Sequence, residues 1–216
     1  MARRRRQLVP IGVLIQSSSG EIFPGNFSVI RKDRADGRAS GGVFIGFKND
    51  LVLTHRPDLD AECEVVWAQL QIQGAKSIFI GSFYRPPNGA NGLDELNLSI
   101  SKIFKNNVSP NIWLGGDFNL GDINWSCNNI HKYATNGPLC EQLLGMTTEY
   151  NLTQMISEPT HHTEDSDSLL DLFFTTSPTS VHNIIHRPGL GLCKHDAINI
   201  DIEIQPRRVW YSSMGK

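Results

Sequence analysis

Alternation of apolar and polar residues near the carboxyl end of the chain is its clearest structural signal. Isoleucine occupies every second position from 198 to 204, and polar residues lie between. This period of two predicts a strand with one buried face. Short segments rich in β-branched or aromatic residues predict five further strands, at residues 27–31, 42–47, 63–72, 77–84 and 111–114. Sheet therefore dominates the predicted structure.

Two segments, residues 93–104 and 137–150, have the spacing of amphipathic helices and would cover a sheet. In the second segment, one helical face is formed by Leu139, Leu143, Leu144 and Thr147. Strands and helices do not alternate regularly along the chain. The pattern therefore predicts an α/β protein, a layered sandwich in which helices lie outside central sheets.

The length of 216 residues is sufficient for one domain with a sizeable core. We expect a basic, poorly ordered segment at residues 1–20, the domain at residues 21–205 and a tail at residues 206–216. The arginine run at residues 3–6 is also compatible with a nuclear address or with a phosphate-binding arm.

Charge and cysteine content narrow the class of protein only slightly. The formal net charge is -2, so a polyanionic partner would have to meet a local basic patch. The four cysteines form no Cys-x-x-Cys pair, which argues against a zinc knuckle and favours reduced, intracellular thiols. No apolar run approaches the roughly 20 residues of a membrane helix. We therefore expect an intracellular protein without a membrane span.

A candidate for chemistry follows the apolar strand at residues 111–114, where two glycines precede Asp117 and Asn119. Residues two apart on an extended segment point to the same side, so a carboxylate and an amide would face one ligand. Such a pair suits hydrolysis of a phosphate ester, because the carboxylate can activate water while the amide holds a phosphoryl oxygen. The alternative is an ordinary Asp/Asn turn after a buried strand.

A second candidate is the pair Tyr84 and Arg85, which ends another apolar strand and precedes two prolines. The prolines would stiffen the loop and give both side chains defined positions. Arginine can hold two oxygens of a substrate phosphate, and tyrosine can donate to an oxygen with developing charge. Without other motifs, a strand end followed by a rigid turn is the preferred interpretation.

Two further residues gain meaning from their surroundings. Asp171 stands inside an apolar run, where an unpaired charge is costly, so it should have a partner: a catalytic histidine, a backbone amide or an arginine. His195 precedes the alternating strand and could act as a general acid or base. His161 and His162 lie in a polar loop without obvious chemical context.

Four motifs in order resemble the endonuclease/exonuclease/phosphatase superfamily, and most closely the endonuclease domains of LINE-type non-LTR retrotransposons. They are Tyr-Arg-Pro-Pro at residues 84–87, Gly-Asp-Phe-Asn at 116–119, Leu-Asp-Leu at 170–172 and Lys-His-Asp-Ala-Ile at 194–198. The resemblance runs from about residue 21 to about residue 204 without large gaps.

The resemblance implies a DNase I-like four-layered α/β sandwich whose loops surround a divalent metal, usually magnesium, and nick DNA. Asp117 would orient or activate water, Asn119 would contact the scissile phosphate and Tyr84 would support that phosphate. Asp171 and His195 would complete the pocket. DNA is the implied partner, and no obligate protein partner is implied.

Two departures from the family pattern weaken the implied activity. The family begins with a strand bearing an asparagine and a second strand ending in a metal-binding glutamate, and neither motif is found here. We therefore expect a domain that lacks its first strands and one principal metal ligand. In addition, Lys194 replaces the aspartate of a Ser-Asp-His motif, which should depress protonation of His195 if the two side chains approach each other.

These observations predict a metal-dependent, DNA endonuclease-like domain with impaired catalysis. The alternative is a non-catalytic remnant that binds nucleic acid or protein. A phosphatase acting on a phosphoinositide or a nucleotide ranks third, because the motif likeness favours mobile-element nucleases.

Overall fold

The computed structural model describes residues 25–34, 42–87, 89, 92–189 and 193–204. Its helices are α1 (Gly92–Asn106) and α2 (Gly137–Glu149). Its strands are β1 (Phe27–Lys32), β2 (Val43–Lys48), β3 (Val52–His55), β4 (Glu64–Gln71), β5 (Ile78–Tyr84), β6 (Asn111–Asp117), β7 (Ile123–Asn124), β8 (Asn129–Ile130), β9 (Thr153–Gln154), β10 (His161–His162), β11 (Asp167–Ser168), β12 (Asp171–Thr175), β13 (Val181–Arg187) and β14 (Ala197–Ile202).

A six-stranded sheet in the order β3-β4-β5-β6-β12-β9 forms the centre of the molecule. The neighbours β5 and β6 are parallel, whereas the other pairs are antiparallel. Parallel neighbours need a long crossover connection. Here α1 lies in the crossover, and it brings the carboxyl ends of β5 and β6 to the same edge of the sheet.

One face of this sheet is covered by the two helices. In α1 the buried residues Leu93, Leu96, Ile100 and Ile103 follow helical spacing, so a single stripe packs on the sheet. In α2 the buried residues are Cys140, Leu143 and Met146. The predicted face of α2 is confirmed in part, because Leu143 is buried and Leu139 and Leu144 are half-buried and pack against the same core. The helix is also buried through Cys140 and Met146, which the prediction did not include.

The opposite face is covered by two hairpins, one formed by β1 and β2 and the other by β13 and β14. The isoleucines of β14 point toward the sheet, as the alternation predicts, and pack in a second apolar core. This side is less completely filled. A cavity of about 60 Å³ lies between the sheet and β14, and its described lining includes Ile80, Trp113, Ile198 and Asp171.

The six predicted strands and both predicted helices are present, and the layered α/β sandwich is confirmed. The described residues form three layers: helices, central sheet and hairpins. The predictions for residues 1–20 and 206–216, including the arginine run, lie outside the described residues. Within the described ranges, neither helix has the length and apolar character needed to cross a membrane.

Candidate active site

Strand register brings four polar residues into one row across the sheet. Glu64 pairs with Tyr84, Tyr84 pairs with Asp117, and Asp117 pairs with Asp171. Directly paired residues on neighbouring strands point to the same face of a sheet. We call these four residues the site row. It lies at one end of the hairpin-covered face, and its members come from four different strands.

Gly116 permits the close approach of strands that places Asp117 at this edge. Its φ angle is +155°, and a Cβ atom at this position would lie 1.7 Å from the Phe83 carbonyl oxygen. The next residue, Phe118, points to the helix side and packs against Phe83 with ring centroids 4.9 Å apart. Asp117 and Asn119 therefore emerge together, on the side opposite Phe118.

The Asp117 carboxylate is held by Asn119. Its Oδ1 accepts the Asn119 backbone N–H at 2.9 Å, and its Oδ2 accepts the Asn119 side-chain amide at 2.9 Å. That amide also donates to the Arg85 carbonyl oxygen at 2.8 Å. Both amide donors of Asn119 are thus engaged within the protein, and the residue orients Asp117 in this arrangement. Asn119 has a φ angle of +49°, which asparagine tolerates better than most residues.

Burial controls the ionisation of Asp117, which is only 4% exposed. Loss of solvation raises the pKa of its carboxyl group to about 6, and the nearby negative charge of Asp171 acts in the same direction. Hydrogen bonds from Asn119 and the charge of His195 oppose this rise. The result is a carboxyl group that exchanges its proton near neutral pH.

Asp171 has the partner that its apolar context predicts, and the partner is His195. The Asp171 Oδ2 lies 2.8 Å from His195 Nδ1. The Asp171 backbone N–H donates to Oγ1 of buried Thr160 at 2.9 Å, which fixes the start of β12. The hydrogen bond with Asp171 raises the pKa of His195. The depression expected from Lys194 does not prevail, because the pKa of His195 is raised, chiefly by Asp171, and Lys194 is exposed.

Neighbouring backbone and a second imidazole hold His195 in place. A Cβ atom at Gly189 would lie 2.1 Å from the His195 carbonyl oxygen, so only glycine permits this close approach. The backbones of His161 and His195 form an isolated antiparallel β-bridge, and their ring centroids are 4.6 Å apart. Burial, together with the charge of His195, lowers the pKa of His161. Sequence analysis did not predict this contact between His161 and His195.

Asp196, the residue after His195, turns to other partners. Its Oδ2 lies 3.1 Å from His186 Nδ1 and 3.4 Å from His162 Nε2. At the start of β14, His195 therefore pairs with Asp171, whereas the next residue, Asp196, pairs with two other histidines, His186 and His162. His162 therefore has a carboxylate partner, Asp196, that its position in the sequence did not predict.

Arg85 is placed differently from the phosphate contact predicted for it. The residue is 1% exposed. Its guanidinium donates to the carbonyl oxygens of Phe118 at 2.8 Å, Asn119 at 2.7 Å and Gly89 at 3.0 Å. With its donors committed to backbone, Arg85 does not reach toward a substrate. Its contacts instead fix the loop that carries Asn119.

A different arginine lies at the other end of the site row. The Arg34 guanidinium carbon is 5.0 Å from the centroid of the Tyr84 ring. Its Nε lies 3.0 and 3.1 Å from the two carboxylate oxygens of Glu64. Tyr84 therefore stands between an ion pair and Asp117. Sequence analysis missed Arg34 and Glu64, because only strand register brings them beside Tyr84.

The donors in the row fit the divalent cation that the resemblance implies. One ligand atom from each of Asp117, Asp171 and His195 lies within 4.8 Å of the others. Carboxylate oxygens have several lone pairs, so the existing hydrogen bonds do not exhaust them. Magnesium in enzymes is commonly held by one or two carboxylates with water and substrate phosphate. Two carboxylates at this spacing meet that requirement.

Comparison with solved structures identifies the fold. The chain is similar to the endonuclease domain of TRAS1, a telomere-specific non-LTR retrotransposon, with a TM-score of 0.67 and 19% identity over 83% of this chain and 80% of that chain. For the AP endonuclease LMAP from Leishmania major, the TM-score is 0.62 and the identity 11%, with 83% and 71% covered. For ANGEL2, a 2',3'-cyclic phosphatase, the values are 0.51 and 18%, with 82% and 74% covered. The α/β fold is therefore DNase I-like.

Sequence comparison identifies the family. No curated protein sequence matches the chain significantly. Residues 78–198, which are 121 of the 216 residues, match the family model described as endonuclease-reverse transcriptase. The match includes Tyr84, Asp117, Asn119, Asp171 and His195. The chain thus belongs to the endonuclease-reverse transcriptase family, within the endonuclease/exonuclease/phosphatase superfamily and close to the retrotransposon endonucleases.

Proposed function

We propose that this chain is a divalent-metal-dependent endonuclease domain that cleaves phosphodiester bonds in DNA, with weak activity. The observation that carries the proposal is the convergence of Asp117, Asp171 and His195, whose ligand atoms lie within 4.8 Å of one another. The family membership and the similarity to two endonucleases support the substrate class.

His195 and Asp171 supply one half of the proposed chemistry. The hydrogen bond to Asp171 fixes the orientation of the imidazole and favours its protonated form. A protonated His195 stabilises negative charge on the phosphoryl oxygens and can donate a proton to the leaving oxygen.

Asp117 supplies the other half. Its pKa of about 6 lies close to neutral pH, where a carboxylate is most useful as a base toward water. Asn119 holds both oxygens of this carboxylate, and Arg85 holds the backbone of Asn119. The aromatic hydroxyl of Tyr84, one strand away, would support the phosphate.

A magnesium ion held by Asp117 and Asp171 would supply positive charge for the phosphate and the leaving oxygen. We expect weak activity because, among the described residues of the site row, only Asp117 and Asp171 offer carboxylates for the metal. The third carboxylate, Glu64, is paired with Arg34.

A plasmid assay tests the proposal. The full chain with magnesium should nick supercoiled DNA slowly, and Asp117→Ala or His195→Ala should lower the rate by at least about 100-fold, the usual contribution of a general acid or base. His182→Ala is the matched control, because His182 is exposed and pairs with Glu203 on the outer hairpin. Its nicking rate should be unchanged.

The possible results separate the competing functions. Fast nicking that Asp117→Ala abolishes would contradict the weak-activity part of the proposal. Salt-sensitive DNA binding without any nicking would favour the non-catalytic remnant. If the chain neither binds nor nicks DNA, a DNA-directed function is overturned. Release of phosphate from a phosphoinositide or a nucleotide would then favour a phosphatase. A nuclear location, suggested by the arginine run at residues 3–6, is part of the proposal and is tested by imaging a tagged chain.

A further inference from the structure

Beside the Glu64 end of the site row lies a cation, Arg34, that the proposed chemistry does not use. Arg34 lies over Tyr84 and is paired with Glu64, and both charged side chains are largely buried, at 13% and 18% exposed. Removing two charges from water is costly, and such pairs contribute little to stability on balance. A mostly desolvated ion pair at the edge of a candidate active site therefore invites a functional explanation.

The geometry of the pair leaves donors for a ligand. Nε of Arg34 donates to both carboxylate oxygens of Glu64, and the guanidinium also hydrogen-bonds with the Tyr84 side chain. The guanidinium plane carries further N–H groups on its two terminal nitrogens, in a fork that matches two oxygens of a phosphate. Glu64 fixes the Arg34 side chain by accepting from Nε, and the ring of Tyr84 packs against the guanidinium. A guanidinium has five N–H groups, and the contacts with Glu64 and Tyr84 engage only part of them.

The position of Arg34 along the row separates it from the proposed reaction centre. Strands in a sheet are about 4.8 Å apart. Tyr84 is one strand from Asp117, and Glu64 is one strand further. The guanidinium of Arg34, which contacts both Glu64 and the Tyr84 ring, therefore lies one to two strand spacings from Asp117, roughly 5 to 10 Å. A phosphate at Arg34 would be a different phosphate from the one at Asp117.

We propose that Arg34 binds a backbone phosphate of the nucleic acid strand, next to the phosphate that is cleaved at the Asp117 end of the row. This inference rests on the proposed function, because it assumes a polynucleotide substrate lying along the row. Arg34 then fixes the register of the strand, and Glu64 fixes Arg34.

Salt dependence of binding provides the test. The affinity of the full chain for a short duplex DNA is measured by fluorescence anisotropy in EDTA, at several salt concentrations. Removing one phosphate contact lowers the steepness of log K against log salt by about 0.9. Arg34→Gln should show this decrease and a several-fold weaker affinity at low salt. Arg34→Lys keeps the charge and should retain the slope while binding more weakly than wild type.

Arg56→Gln is the matched control. Arg56 also pairs with a carboxylate, Asp58, at 2.6 Å, and also lies over an aromatic ring, that of Phe79, at 5.3 Å. Phe79 belongs to the helix-side core, however, and not to the face that carries the site row. Its substitution should leave the salt slope unchanged.

The outcomes distinguish this inference from the function on which it rests. Wild-type binding with an unchanged slope in Arg34→Gln, or an equal change in Arg56→Gln, would overturn the inference alone. No salt-dependent binding by the wild-type chain would overturn both. If Arg34→Gln does not fold, Arg34→Lys decides, because a lysine variant whose slope falls by about 0.9 despite its retained charge would contradict a phosphate contact.

Discussion

The two faces of the central sheet differ in how completely they are packed. On the helix side, Leu96, Ile100 and Ile103 of α1 are fully buried against the sheet. On the hairpin side, Ile198 and Ile200 remain partly exposed, and a cavity of about 60 Å³ separates β14 from the sheet. The polar site row lies at the end of this second, looser face. The contrast indicates that the helix side supplies stability while the hairpin side supplies the chemistry.

Consecutive residues at the end of β6 serve the two faces in turn. Asp117 points to the hairpin side and joins Asp171 and His195. Phe118 points to the helix side, where its ring packs against Phe83 and Phe174. The period of two that builds the sheet therefore also anchors the site, because the buried ring fixes the backbone from which the carboxylate projects.

Truncation of one isoleucine on each face tests the contrast most directly. Ile100→Ala on the helix side should lower the free energy of unfolding by about 4 kcal/mol, since the side chain is fully buried and leaves a cavity. Ile198→Ala on the hairpin side should cost only about 1 kcal/mol, because part of the side chain already meets solvent or the cavity. Urea unfolding of both variants measures the difference, and equal losses would contradict the division between faces.

Substitution of Arg85 tests how firmly the site is tied to the buried interior. Arg85→Met leaves the carbonyl oxygens of Phe118 and Asn119 without their donor and should cost about 3 kcal/mol. Arg56→Met, which removes a more exposed guanidinium, should cost less than about 1 kcal/mol. Thermal unfolding compares the two. A small loss in Arg85→Met would show that the loop holds its shape without this residue.

A pH series tests whether the hairpin side of the sheet raises the pKa of Asp117. Its pKa is raised to about 6 from 3.8, so the folded state disfavours the charged form and loses stability as pH rises through this window. Asp117→Asn removes that loss. Relative to wild type, the variant should gain stability between about pH 4 and pH 7, by roughly 2 kcal/mol at about 1.4 kcal/mol per pKa unit. Melting temperatures in EDTA measure the gain, and a difference that does not change with pH would show that Asp117 ionises normally.

Local sequence patterns predicted secondary-structure elements better than they predicted the contact partners of individual side chains. Alternation located the buried face of β14, and the apolar surroundings of Asp171 required a partner, which is His195. The same reasoning assigned Arg85 to a phosphate, because the side chain of an arginine after a strand can turn toward solvent or toward the core. Only packing shows that this guanidinium is enclosed by carbonyl oxygens.

The amino-acid sequence by itself determined six of the fourteen described strands, the two helices, the placement of Asp117 and Asn119 on one side and the family. These properties follow from spacing within a few residues, where backbone geometry sets which side chains share a face. Tertiary structure alone decided that Arg34, rather than Arg85, lies beside Tyr84, and that His161 packs against His195. Such contacts depend on register between strands distant in the chain, and a shift of one residue would turn each side chain to the opposite face.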